Sequence, residues 1–190
     1  MNVPNQLTLS RFVLTALFLI VFFARYKYAD SIALFLFSAA SLTDYFDGKI
    51  ARRDNLITNF GILMDPLADK ILVCSAFIAF VERGFMPAWM VVLVVGRELA
   101  ITGLRLLAAS KQQVLAAERY GKHKTISQIV AIISLLVSFS YPEWGKWALP
   151  LFDFWVPTFA KAAVWLAVLL TGSSGLLYLW KNREIYLCDI

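Results

Sequence analysis

Apolar runs of about 20 residues, the length of helix that crosses a bilayer core, recur six times in this chain. They lie near 8–24, 31–52, 62–82, 87–109, 124–141 and 157–180. Such runs leave little choice of fold. A backbone N–H or C=O in hydrocarbon finds no water, so each run must satisfy its own hydrogen bonds, which a helix does within one segment. The expected architecture is an all-α membrane protein of six transmembrane helices. Gly84 and Pro87 punctuate the third break, and Pro142, Gly145, Pro150 and Pro157 the fifth. Of the 190 residues 60% are hydrophobic and 16% charged, where a soluble domain carries about a quarter charged. The length suits one integral-membrane domain over 1–190. No secretory signal is expected, because the first apolar run lacks a small-residue cleavage site and leads into further membrane sequence.

Orientation follows from the cations. With six spans, both termini share a side with the second and fourth loops. That side carries eleven Lys and Arg, among them Arg11, Lys49, Arg52, Arg53, Lys111, Lys122 and Lys124. The other carries five: Arg25, Lys27, Arg83, Lys146 and Lys161. The positive-inside rule then predicts cytoplasmic termini and a multi-pass protein of a cell's inner (plasma) membrane. The net charge of +5 reflects this topology and contact with anionic membrane lipid; no nucleic-acid partner is expected. The aromatic stretch 150–162 reads as an interfacial anchor. Cys74, in an apolar helix, and Cys188, in the polar tail, read as unpaired structural thiols. The C-terminal spans hold no charged constellation and are expected to be silent in function.

The unusual residues are acids. Asp44 and Asp47 are three apart at the end of the second span; Asp65 and Asp69 are four apart at the start of the third. Either spacing puts both carboxylates on one helix face, and a short cytoplasmic connection lets the two pairs face each other. Four carboxylates so close to hydrocarbon repel one another and resist ionisation unless a cation neutralises them. Oxygen ligands with no His or Cys nearby select a hard ion, Mg²⁺ or Mn²⁺. Capping explains one acid, or two, and Asp65 before Pro66 has the look of an N-cap with proline at the first helical position. It does not explain two pairs. Gly48 and Ala51 keep the helix surface flat for a ligand, Arg52 offers a planar fork for phosphate oxygens, and Gly61 permits a turn or a close helix approach.

Residues 44–69 resemble the CDP-alcohol phosphotransferase signature, Asp-x2-Asp-Gly-x2-Ala-Arg-x8-Gly-x3-Asp-x3-Asp, at all eight specified positions. The resemblance implies six helices around a polar cavity facing the cytoplasm, a CDP-activated donor, two divalent ions, release of CMP and a homodimer. It makes Asp44, Asp47 and Asp65 metal ligands, and Asp69 a ligand as well as the general base or a fourth ligand only. Gly48, Ala51, Arg52 and Gly61 then border the donor's nucleotide and phosphates.

The signature does not name the acceptor alcohol. Arg97 lies inside an apolar run, where a charge faces a cavity or a partner; Glu98 can pair with it or with Lys70. Arg105, eight residues on, is displaced by ~80° around the helix. With Lys122 and Lys124, either phosphate ligands or topological anchors, these arginines suit an acceptor that itself carries phosphate. Asn5 and Thr8, with Arg11, either line the donor site or cap the first helix. Asp65-Pro-Leu-Ala-Asp-Lys70, Gly96-Arg-Glu98 and Gly121-Lys-x-Lys-Thr125 resemble the bacterial branch of the family. There the donor is CDP-diacylglycerol and the acceptor sn-glycerol 3-phosphate. The alternatives are the same chemistry on inositol phosphate, or a divalent-cation transporter. Arg52 beside the acids speaks against a transporter, because it would repel cations.

Overall fold

The computed structural model describes residues 3–53, 59–112 and 120–187. Within these, side chains 3–5, 7, 44–53, 59–63, 65–66 and 120–123 fall outside the description. The described chain is helical throughout: α1 Val3–Ala24, α2 Ala29–Arg53, α3 Asn59–Glu82, α4 Ala88–Ser110, α5 Tyr120–Ser140, a 3-10 turn Tyr141–Trp144, α6 Ala148–Phe152, α7 Val156–Lys181 and α8 Arg183–Leu187. Each of the six apolar runs corresponds to one long helix. The short α6 and α8 are additions that their length hides from a search for spans.

Two expectations about helix ends change. α1 begins at Val3, so Asn5 and Thr8 lie inside it and do not cap it. α3 begins at Asn59, so Asp65 is a second-turn residue and no N-cap, and Gly61 makes no turn. Pro66 thus sits inside the helix, where it offers no N–H to the Ile62 carbonyl. The third break behaves as read. Gly84 adopts φ +75°, its N–H bonds Val81 O at 2.9 Å, and Phe85 N–H bonds Phe80 O at 3.0 Å. That pair of bonds closes α3 in a left-handed cap that costs a glycine little.

The helices meet through small residues and phenylalanines. Ala33, Ala40, Ala76, Ala79, Ala131, Ala160 and Ala167 are buried and let backbones approach, as helices in lipid require when water supplies no hydrophobic drive between them. Phe18, Phe22, Phe37, Phe77 and Phe80 fill the centre. Phe22 and Phe80 meet edge-on with centroids 5.7 Å apart, and Phe80 meets Phe139 at 5.9 Å, which ties α1, α3 and α5 together. Outward, large apolar side chains stand free: Phe35 is 71% exposed, Val92 70% and Leu176 72%. Such a surface suits lipid and not water. Among the described residues, two segments, Lys124–Trp144 and Val156–Lys181, are long and apolar enough to cross a membrane. The stretch 150–162 keeps Phe154, Trp155 and Phe159 exposed, in keeping with an interfacial anchor.

One end of the bundle is fixed by polar contacts. Arg83, at the close of α3, pairs with Asp30 at the start of α2 and lies 4.5 Å above the Phe22 ring. Glu143 accepts bonds from the N–H groups of Asp30 (3.2 Å) and Ser31 (2.9 Å). The C-terminal ends of α3 and α5 therefore meet the N-terminal end of α2. The opposite end then gathers the last turns of α2 and α4 and the first turns of α3 and α5. Two cavities, of about 480 and 400 Å³, open at the Arg83 end, one beside Glu82, the other beside Asp30, Arg83 and Lys161.

Candidate active site

Antiparallel packing places the acidic segments at that second end. Asp44 and Asp47 lie in the last part of α2 and Asp65 and Asp69 in the first half of α3, and these two helices touch. A helical backbone makes positions 44 and 47, and positions 65 and 69, neighbours along one face. The side chains of Asp44, Asp47, Gly48, Ala51, Arg52, Gly61 and Asp65 lie outside the described residues, as do those of Asn5 and Lys122. Asp69 is described and half-buried.

Around Asp69 the described side chains form a cation-rich cluster drawn from three helices. Asp69, Arg97 and Arg105 all act electrostatically on Lys70, and Arg97, Asp69 and Lys70 act on Lys124. Glu98 is the buried counter-charge. It pairs with Lys124 and, at 3.3 Å, with Arg97. Lys70 does not reach it; its ammonium donates to Thr102 Oγ1, and Thr102 in turn donates to the Glu98 carbonyl at 2.7 Å. Lys124 is therefore no mere anchor in the headgroup region, because it is buried against a carboxylate of another helix. Among the described residues, the four cations Lys70, Arg97, Arg105 and Lys124 gather with the two carboxylates Asp69 and Glu98, at the end of the bundle to which α2 and α3 bring the other three acids.

α7 contributes polar partners to the cluster, although its sequence holds no charged constellation. Arg97 donates to Ser174 Oγ at 3.5 Å, and Arg105 Nε donates to Tyr178 Oη at 3.4 Å with its guanidinium 5.7 Å over the Tyr178 ring. Nearer the middle, buried Gln128 of α5 donates to Thr171 Oγ1 of α7 at 3.0 Å. The signal was present in the sequence as Thr171, Ser174, Gly175 and Tyr178, whose separations of three and four (171/174, 171/175, 174/178, 175/178) put them on one face of a mostly apolar helix. It carries no charge, so a search for charged residues passes over it. On α1, Thr8 and Arg11 are fully buried, and Thr15 Oγ1 donates to the Arg11 carbonyl at 2.8 Å; neither Thr8 nor Arg11 belongs to a solvated terminus.

The acidic segments of α2 and α3 thus lie at the same end of the bundle as the cluster of cations from α3, α4 and α5. The family model for CDP-alcohol phosphatidyltransferase matches residues 1–172. A Bacillus subtilis (strain 168) protein is 42% identical over 195 residues, covering 96% of each chain. A Salmonella typhimurium (strain LT2) protein is 35% identical over 188 residues, covering 96% of this chain and 95% of its own. One from Rickettsia typhi is 35% identical over 136 residues, covering 72% of this chain and 76% of its own. All three are named CDP-diacylglycerol–glycerol-3-phosphate 3-phosphatidyltransferase. A match reaching from the first helix well into α7 cannot rest on the acid spacing alone, and the chain belongs to the CDP-alcohol phosphatidyltransferase family.

Proposed function

We propose that this chain transfers the phosphatidyl group of CDP-diacylglycerol to sn-glycerol 3-phosphate, giving phosphatidylglycerophosphate and CMP in phospholipid biosynthesis. The observation that carries the acceptor assignment is the cluster of Lys70, Arg97, Arg105 and Lys124 within electrostatic reach of one another or of Asp69. Arginine and lysine side chains are the ligands expected for the phosphate that sets this acceptor apart from an unphosphorylated alcohol. The relatives' names point to the same acceptor.

The donor set fits a divalent metal: Asp44, Asp47, Asp65 and Asp69 offer carboxylate oxygens only, from two touching helices, the chemistry of Mg²⁺ or Mn²⁺. Two such ions, when bound, neutralise the charge developing on the attacking and leaving oxygens. The chain's own residues do the rest. Arg97, Arg105 and Lys124, with Lys122 in the same helix, grip the acceptor's phosphate and direct its free hydroxyl toward Asp69. Asp69 accepts the hydroxyl proton as that oxygen bonds to the phosphorus carrying the diacylglycerol. The bond from this phosphorus to the CMP oxygen breaks, and CMP leaves with the electron pair. Arg52 holds the CMP phosphate, while Gly48, Ala51 and Gly61 let the nucleotide approach the helix surfaces. Asn5 and Thr8, on α1, border the donor side. The acyl chains stay in the membrane, which is why the site belongs at one end of the bundle and not at its middle.

The topology that goes with this reading has six spans in a bacterial inner membrane, with both termini and the aspartate end cytoplasmic, and the working unit is a homodimer. CMP release from CDP-diacylglycerol with a panel of acceptors tests the assignment. Turnover should require glycerol 3-phosphate, vanish on chelation, and return with Mg²⁺ or Mn²⁺. Turnover with inositol phosphate and none with glycerol 3-phosphate would sink the acceptor. Divalent flux in vesicles without any CMP would make the protein a transporter.

A further inference from the structure

Gly175 is buried on α7 where that helix crosses α4. A Cβ built on it would lie 2.5 Å from Arg97 Cγ, 3.5 Å from Arg97 Cβ and 3.6 Å from Arg97 Nε. Cγ belongs to the root of the arginine side chain and not to its mobile tip. A methyl group at 175 is accommodated only if the whole Arg97 side chain swings aside. The swing would carry the guanidinium away from Ser174 and Glu98, two of its partners. One turn further on, Tyr178 holds Arg105 by its hydroxyl and its ring face. The two cations furthest along α4 are thus both set in place by α7. Gly172, a turn earlier, differs: a Cβ there meets only the terminal methyls of Leu93, at 3.3 and 3.7 Å, and these turn aside easily.

We propose that Gly175 and Tyr178 are positioning residues that place Arg97 and Arg105 for the acceptor's phosphate, making α7 the element that sets affinity for a phosphorylated alcohol. The inference rests on the reading that Arg97 and Arg105 bind that phosphate. Gly175 works by absence: no other residue leaves the space Arg97 occupies. Tyr178 works by one oxygen and one ring face.

The test uses the full-length protein in lipid–detergent micelles, with CMP release followed at varied glycerol 3-phosphate and at varied CDP-diacylglycerol. Gly175→Ala should raise the acceptor KM by roughly tenfold, with kcat and the donor KM within about twofold of the parent, since a displaced binding group costs affinity without touching the reacting atoms. Gly172→Ala adds the same methyl to the same helix and should change neither KM. Tyr178→Phe should raise the acceptor KM by a smaller factor, roughly threefold. The double variant Gly175→Ala with Arg97→Ala should match Arg97→Ala alone. A parental acceptor KM in Gly175→Ala, or an equal rise in Gly172→Ala, overturns the inference; so does a double variant in which the two penalties add. If Gly175→Ala does not accumulate folded, Tyr178→Phe decides, and a parental acceptor KM there overturns it. Arg97→Ala separates the two levels. Should that variant itself keep the parental acceptor KM, the acceptor assignment falls. Should it raise the KM while Gly175→Ala does not, only the positioning role falls.

Discussion

Asp69 stands between two populations of charge. Upstream on α2 and α3 are the other acids of the signature; around it are Lys70, Arg97 and Lys124. In the proposed mechanism Asp69 takes the proton from an alcohol whose phosphate these cations hold. Asp69→Asn should lower CMP release by at least ~100-fold, the range expected for a lost general base, with the KM for CDP-diacylglycerol retained. Full rescue by excess Mn²⁺ would mark Asp69 as a ligand and nothing more. Glu98 shows what spacing alone does not decide. Its sequence neighbours offer Arg97 or Lys70 as partners, whereas the packed structure gives it Arg97 and the distant Lys124, leaving Lys70 to Thr102. The i,i+1 relation was readable in the chain. The contact between α4 and α5 was not, because it depends on how two helices cross.

At the level of elements, the two ends of the bundle do different work. The Arg83 end is structural: Glu143, carried by the 3-10 turn after α5, satisfies the first N–H groups of α2 from 112 and 113 residues away. A helix start whose donors lose such an acceptor becomes less stable. Glu143→Ala should therefore cost about 1–2 kcal/mol, seen as a lower melting temperature in detergent. Because α2 carries its acids at the far end, CMP release per folded molecule should not change. A loss of activity at unchanged stability would contradict this division. The long helices were legible in the sequence because each had to hide about 20 apolar residues. Their ends were less so. Asp65-Pro66 carries the chemistry of a helix start, yet α3 begins at Asn59; the apolar Ile62 and Leu63 permit helix on both sides of the proline.

For the whole molecule, the distribution of Lys and Arg and the antiparallel packing make one prediction together. The aspartate end and both termini should face the cytoplasm, and the Arg83 end the other side. Single cysteines at Ser110 and Lys146, in a background with Cys74 and Cys188 replaced by serine, should label with an impermeant maleimide from opposite sides of sealed vesicles. Ser110 should react only from the cytoplasmic side and Lys146 only from the other. Labelling of both from one side would refute the six-span topology.

Hydrophobicity and exact spacing determined most of what this protein is. Apolar runs of bilayer length force helices, and eight residues at fixed intervals name the reaction, because ligand geometry on a helix depends on residue separation alone. Those properties are local, so a single chain displays them. The proposed acceptor site is not local. It joins Lys70, Arg97, Arg105 and Lys124 with Ser174, Gly175 and Tyr178, residues separated by up to 108 positions. Only the crossings of α4 with α3 and with α7, and the Lys124–Glu98 pair that links α5 to α4, bring them together. Those crossings follow from which small residues let which backbones approach, a pairwise property that tertiary structure decides.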